Sequence, residues 1–262
     1  QHREAEEMYK RALKGKEKAW GEEHTSTLDT VHNLGSLYAA LGQHREAEEM
    51  YKRALKGKEK AWGEEHTLTL NTVNNLGLLY AALGQHREAE EMYKRALKGY
   101  KKAWGEEHTS TLNTVNNLGN LYAALGQHRE AEEMYKRALE GYARAVGSNR
   151  FSTYVPALDT MWAQGCLSES LGRVDEARAW YFKALSGYEA VFGTEYSKCQ
   201  PLRDNLAALE RAKTKSSVPV RTKSAQGGED MSNIGGAVIA SRQVQIESPS
   251  RRHRILGKLL RK

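Results

Sequence analysis

Residues 1–42 read QHREAEEMYKRALKGKEKAWGEEHTSTLDTVHNLGSLYAALG, and the same run restarts at Gln43 and Gln85 and begins a fourth time at Gln127. A supersecondary unit repeated in tandem cannot bury its apolar face alone. Neighbouring units therefore stack into a solenoid, whose concave side is normally a binding surface. The 262 residues are 39% hydrophobic and 28% charged, too polar for one large globular core and suited to a thin array. The chain enters the repeat at its second helix, so it is expected to be an excerpt of a longer one.

Each unit alternates two helical patterns, the first expected over residues 67–83 and the second over 85–104 in the middle copy. In the first, Leu70, Val73, Leu76, Gly77 and Tyr80 recur at i, i+3 and i+4, as a one-sided helix requires. In the second, Ala89, Met92, Tyr93, Ala96 and Leu97 form the apolar stripe, while Glu90 with Lys94 and Glu91 with Arg95 are i,i+4 ion pairs on a solvated outer face. Tyr38, Tyr80 and Tyr122 and the tryptophans Trp20, Trp62 and Trp104 are expected in the core or between repeats.

Leu34, Gly35, Tyr38, Gly42, Ala47, Tyr51 and Ala54 fall at the spacing L-G-x2-Y-x3-G-x4-A-x3-Y-x2-A, which resembles the tetratricopeptide repeat (TPR). The unit is eight residues longer than the usual 34, and the added GEEHTxTLxTVxNLG segment is similar to the long repeat of kinesin light chains. Similar arrays follow nucleotide-binding domains in fungal receptor-like proteins of the NLR type. Threonine stands at Thr25, Thr67 and Thr109 where proline is usual, and its hydroxyl is expected to cap the helix that follows. The resemblance implies an all-α, right-handed TPR-like superhelical solenoid of about five units and ten helices over residues 1–213. Units start near residues 1, 43, 85, 127 and 173, and a capping helix spans about 198–213. In that cap Asn205-Leu206-Ala207-Ala208-Leu209 aligns with Asn75-Leu76-Gly77-Leu78-Leu79.

Residues 214–262 carry 10 Lys+Arg against 3 Asp+Glu, whereas residues 1–213 carry 30 of each. The whole net charge of +7 therefore sits in a tail expected to be disordered and basic. The array has no basic field to draw it to nucleic acid. Contact with a membrane surface is reserved for residues 251–262, RRHRILGKLLRK, where Ile255, Leu256, Leu259 and Leu260 share one side among basic residues; nucleic-acid attachment through the tail is a further alternative. No run of 18 apolar residues spans a bilayer. Cys166 and Cys199 form no CxxC pair, which points to a reducing, cytoplasmic setting.

Seven of the nine histidines belong to the repeat, as His2, His44, His86 and His128 and as His24, His66 and His108. No HxxxH or His/Cys cluster offers tetrahedral metal ligands. Phosphate loops, HExxH and nucleophile elbows are absent as well. Neither a metal, a cofactor nor a catalytic residue is expected, and the chain is read as a non-enzymatic protein.

The first three units differ at six positions: Lys16/Lys58/Tyr100, Glu17/Glu59/Lys101, Ser26/Leu68/Ser110, Asp29/Asn71/Asn113, His32/Asn74/Asn116 and Ser36/Leu78/Asn120. The last four share one helix, within an arc of about 120° at 100° per residue. In the TPR family that arc faces the concave groove. A partner-binding groove is therefore expected at Asp29, His32, Ser36, Asn71, Asn74, Leu78, Asn113, Asn116 and Asn120. Their amides offer donors and acceptors to a peptide backbone. The unvarying Asn33, Asn75 and Asn117 are read as bonds between repeats or as further ligand contacts. The function expected is recognition of a protein or peptide partner, as the sensor end of an NLR-like receptor or as a kinesin-light-chain-like cargo adaptor.

Overall fold

The computed structural model describes residues 2–216, with side chains over 3–212. The expected basic tail and its amphipathic end, 251–262, lie outside the described residues. Among the described residues eleven helices follow one another: α1 (His2–Trp20), α2 (Thr25–Ala40), α3 (His44–Trp62), α4 (Thr67–Ala82), α5 (His86–Trp104), α6 (Thr109–Ala124), α7 (His128–Val146), α8 (Ser148–Phe151), α9 (Val155–Ser170), α10 (Val174–Phe192) and α11 (Cys199–Ser216). The helix beyond the ten expected is α8, a single turn. It takes up the extra residues that separate Gly147 from α9, where earlier units have a four-residue loop.

Helix starts differ from expectation. In α2, α4 and α6 the cap is a histidine: Nδ1 of His24, His66 and His108 accepts the backbone N–H of Ser26, Leu68 and Ser110 at 3.2, 3.3 and 3.2 Å, whereas Tyr154 before α9 makes no side-chain cap hydrogen bond. Thr25, Thr67 and Thr109 are already the first helical residues, so their hydroxyls come one position too late to cap. Second-type helices end on a glycine such as Gly63, whose φ of 87° suits a residue without Cβ.

Two reciprocal contacts hold each helix pair together. A Cβ on Gly35, Gly77, Gly119 or Gly165 of a first helix would meet the ring of Tyr51, Tyr93, Tyr135 or Tyr181 on the second, at 3.0, 2.7, 2.8 and 2.5 Å. A Cβ on Gly57, Gly99, Gly141 or Gly187 of the second would come within 2.4 Å of Leu28, Leu70, Leu112 or Leu158 on the first. Absent side chains thus let the helices approach and bury the rings: Tyr93, Tyr135 and Tyr181 have no exposed surface.

Tyr80 and Tyr122 are only half-buried. Their hydroxyls donate to Glu48 and Glu90 of the preceding second helix at 3.4 and 3.0 Å, so they link repeats rather than fill the core. The tryptophans also lie outside the core. Trp20 and Trp104 are 55% and 43% exposed, and all three rings lie on the capping histidines, with centroids 5.1, 5.0 and 4.2 Å away for Trp20, Trp62 and Trp104. An indole at the last helical residue has no facing helix to cover it.

Candidate inner face of the solenoid

First helices touch one another along the stack, α2 on α4, α4 on α6 and α6 on α9. Ion pairs bridge second helices, with Arg53 to Glu17 and Arg95 to Glu59 at 2.6 Å. Closer approach of the first helices puts them on the inner side of the curvature. The expected site residues on α2, α4 and α6 ride on that row, and the structure divides them by contact.

Position 32 of the unit joins consecutive first helices. His32 Nδ1 lies 3.1 Å from Thr72 Oγ1 and Nε2 lies 3.2 Å from Asn75 Nδ2. The Thr72 hydroxyl donates to Leu68 O at 3.3 Å, so its oxygen accepts from Nδ1–H and the Asn75 amide donates to Nε2. One neutral tautomer meets both neighbours. Asn74 Oδ1 accepts from Thr114 and Asn117 at 3.2 and 3.3 Å, and Asn116 Oδ1 from Thr160 at 2.9 Å. Asn75 and Asn117 therefore bond between repeats, whereas Asn33 is exposed.

Position 36 faces the unit's own second helix. Tyr51 donates to Ser36 Oγ at 3.0 Å and Tyr135 to Asn120 Oδ1 at 2.8 Å. Leu78 offers no acceptor, and the Tyr93 hydroxyl is buried without a hydrogen-bond partner. An unmet buried hydroxyl costs more than its removal. Tyr93→Phe is therefore expected to leave stability unchanged or raise it by about 1 kcal/mol, and Tyr135→Phe to lower it by about 1 kcal/mol. Urea midpoints of the two variants should move in opposite directions, and a shared downward shift would reject this account.

Position 29 pairs with the end of the second helix. Lys58, with 2% of its side chain exposed, sits 2.9 Å from Asp29 Oδ1, and Tyr142 donates to Asn113 Oδ1 at 2.6 Å. In the fourth unit Asp159 accepts from both Tyr188 and Lys198. Asp29 keeps a half-exposed carboxylate. Asn71 and Asn113 are exposed, while Ser36, Asn74, Leu78, Asn116 and Asn120 are half-buried and His32 is buried.

Sequence reasoning missed the partners, namely Lys58, Tyr51, Tyr135 and Tyr142. One signal was present among the six varying positions: Lys58 accompanies Asp29, and Tyr100 accompanies Asn71, two neutral residues in place of an ionic pair. Likewise Lys101 in place of Glu59 leaves Arg137 without that acceptor, and Arg137 pairs with Glu106 at 3.2 Å instead.

Among the described residues no group of three or more His, Cys, Asp or Glu could hold a metal ion, and no helix is long and apolar enough to cross a membrane. Burial pushes the Cys166 thiol up to about 11, far from a thiolate nucleophile at neutral pH.

Stacked helix pairs, glycine–tyrosine contacts and a polar inner row define the class: an α-solenoid of the kind that serves as a protein-interaction scaffold. Tetratricopeptide repeat models match residues 1–60 and 68–144, and a second such model matches residues 116–190. The chain belongs to the tetratricopeptide repeat family. No curated protein matches its sequence.

Solved structures share the fold. BtubC (BKLC) from P. vanneervenii is 22% identical, with 88% of this chain and 98% of that one covered and a TM-score of 0.63. Two structures of a Podosopora anserina putative kinesin light chain with nearly identical TPR-like repeats are similar as well. One of them, a point variant, is 24% identical over 73% of this chain and 89% of that one, TM-score 0.58. The other is 25% identical over 83% and 90%, TM-score 0.51.

Proposed function

We propose that the array recognises a protein or peptide segment along the inner row of first helices, with Asn71 and Asn113 as exposed amides and Asp29, Leu78 and Asn120 beside them. The observation that carries this reading is the exposure of Asn71 on α4: it makes no side-chain hydrogen bond within the array, in a helix interior where asparagine is a poor former. Such an amide is available to a peptide backbone.

Asn71→Arg is expected to leave the melting temperature unchanged and to weaken binding of a partner captured from the source cell at least about tenfold, equivalent to about 1.4 kcal/mol. Glu49→Ala and Glu91→Ala on the outer helices should leave affinity alone. Unchanged affinity for Asn71→Arg with a loss in the outer variants would move the site to the other face.

Two finer forms of this reading follow from the family resemblance. As the sensor end of an NLR-like receptor, the array would work with a nucleotide-binding domain. As a cargo adaptor, it would work with a heptad coiled coil. The coding sequence upstream of Gln1 separates them. Attachment to lipid or nucleic acid through residues 214–262 is tested by that segment alone.

A further inference from the structure

In three helix pairs the residue at the position of Asp29 is answered inside the array. Asp29 meets Lys58 at 2.9 Å, Asn113 accepts from Tyr142 at 2.6 Å, and Asp159 accepts from Tyr188 and Lys198. The α4–α5 pair is different. Asn71 and Tyr100 hold the same two places, and among the described residues neither side chain makes a hydrogen bond. Tyr100 is only 4% exposed, and its ring stacks on Trp104, with centroids 5.2 Å apart and 8° between planes. An enclosed hydroxyl without an acceptor costs free energy that a group from outside can return. Apolar residues flank the pair: Leu68 and Leu78 stand where α2 has Ser26 and Ser36 and α6 has Ser110 and Asn120. Leu68 is 40% exposed and Leu78 half-buried. At 100° per residue Leu68, Asn71 and Leu78 share an arc of about 80°, and the two leucines lie about 15 Å apart along the axis.

We infer that the α4–α5 pair anchors the partner, and that it takes an extended, uncharged peptide segment carrying two apolar side chains four residues apart. This rests on the reading of the inner row as the binding face. An extended chain advances about 3.3 Å per residue and returns a side chain to the same side every second residue, so four residues cover about 13 Å. That spacing sets one apolar side chain against Leu68 and the other against Leu78. Between them a backbone peptide group meets Asn71 and Tyr100, whose amide and hydroxyl supply donors to its carbonyl. A carboxylate fits less well. Helix α4 carries no charged residue, and Tyr100 stands where the α2–α3 pair has the cation Lys58, so a buried anion there would have no counter-charge.

The synthetic peptide acetyl-GSLSGSLSG-amide tests this by titration onto the chain, with leucine-methyl and asparagine-amide NMR signals as the readout. Signals of Leu68, Asn71 and Leu78 should shift, with a Kd below about 1 mM. A peptide of the same composition with its leucines two residues apart, acetyl-GSLSLSGSG-amide, should bind at least about tenfold more weakly. The acidic version acetyl-GDLSGSLDG-amide should bind no more tightly than the neutral one. A chain with Leu68→Ser, Asn71→Asp, Leu78→Ser and Tyr100→Lys carries at these places the residues of the α2–α3 pair, Ser26, Asp29, Ser36 and Lys58. Its circular dichroism should match the parent, and the shifts should vanish. No shift on α4 up to about 10 mM peptide, equal binding at the shorter leucine spacing, or tighter binding of the acidic peptide would overturn the inference. Shifts centred on Asn113 would reject the α4–α5 anchor and keep the inner row, whereas shifts confined to the outer helices would reject both.

Discussion

Replacing Tyr135 with alanine is expected to lower stability by about 3–5 kcal/mol. The ring is fully buried against Gly119, where even a Cβ would stand 2.8 Å away, and its hydroxyl is held by Asn120. Truncation opens a cavity that two rigid helices cannot collapse into and strips Asn120 of its donor. Because contacts in a solenoid run only between neighbours, the loss is confined at first to the units joined there. Chemical denaturation should then show an earlier transition for α6 and α7 by amide exchange. Tyr80→Ala provides the contrast: its ring is half-buried, and the midpoint should fall by less.

Acidification should destabilise the array through His32. Burial, reinforced by the nearby Lys58 ammonium and partly offset by Asp29, holds its pKa down to about 4 from the ordinary 6.5. Thr72, Asn75 and the Tyr51 ring, 5.4 Å away, complete its surroundings. A proton arriving at Nε2 would also confront the Asn75 amide donor.

The unfolded chain takes up the proton first. The contribution is complete above about pH 6.5 and is lost as the pH falls through about 4, up to about 3 kcal/mol. His32→Asn, the residue of the next two units at Asn74 and Asn116, should remove this increment. Urea midpoints of parent and variant at pH 7 and pH 4 measure the difference. Parallel shifts in the two proteins would show that His32 does not carry it.

The apolar stripes of the two helix types, with Gly77 in one and Tyr93 in the other, were legible because they recur at fixed spacing in every copy, and a 3.6-residue period assigns each residue to a face. Two things were not. Thr25 was expected as a cap because threonine is a favoured capping residue, yet His24 reaches the Ser26 N–H and leaves Thr25 inside the helix. The four varying positions of the first helix were expected to form one groove-facing arc, yet His32 turns to the next unit and Ser36 to its own second helix. An arc of about 120° on a helix spans more than one neighbour, and a single-helix projection contains none of them.

By itself the sequence determined the repeat period, the helix pairs, the solenoid and the family, because all of these rest on local periodicity and on identity between copies. Tertiary structure alone decided which differences between copies are answered inside the array. Lys58 meets Asp29, Asn74 meets Thr114 and Leu78 leaves Tyr93 unanswered. These contacts join residues far apart in the chain, and only the packing angle between helices sets which side chains meet.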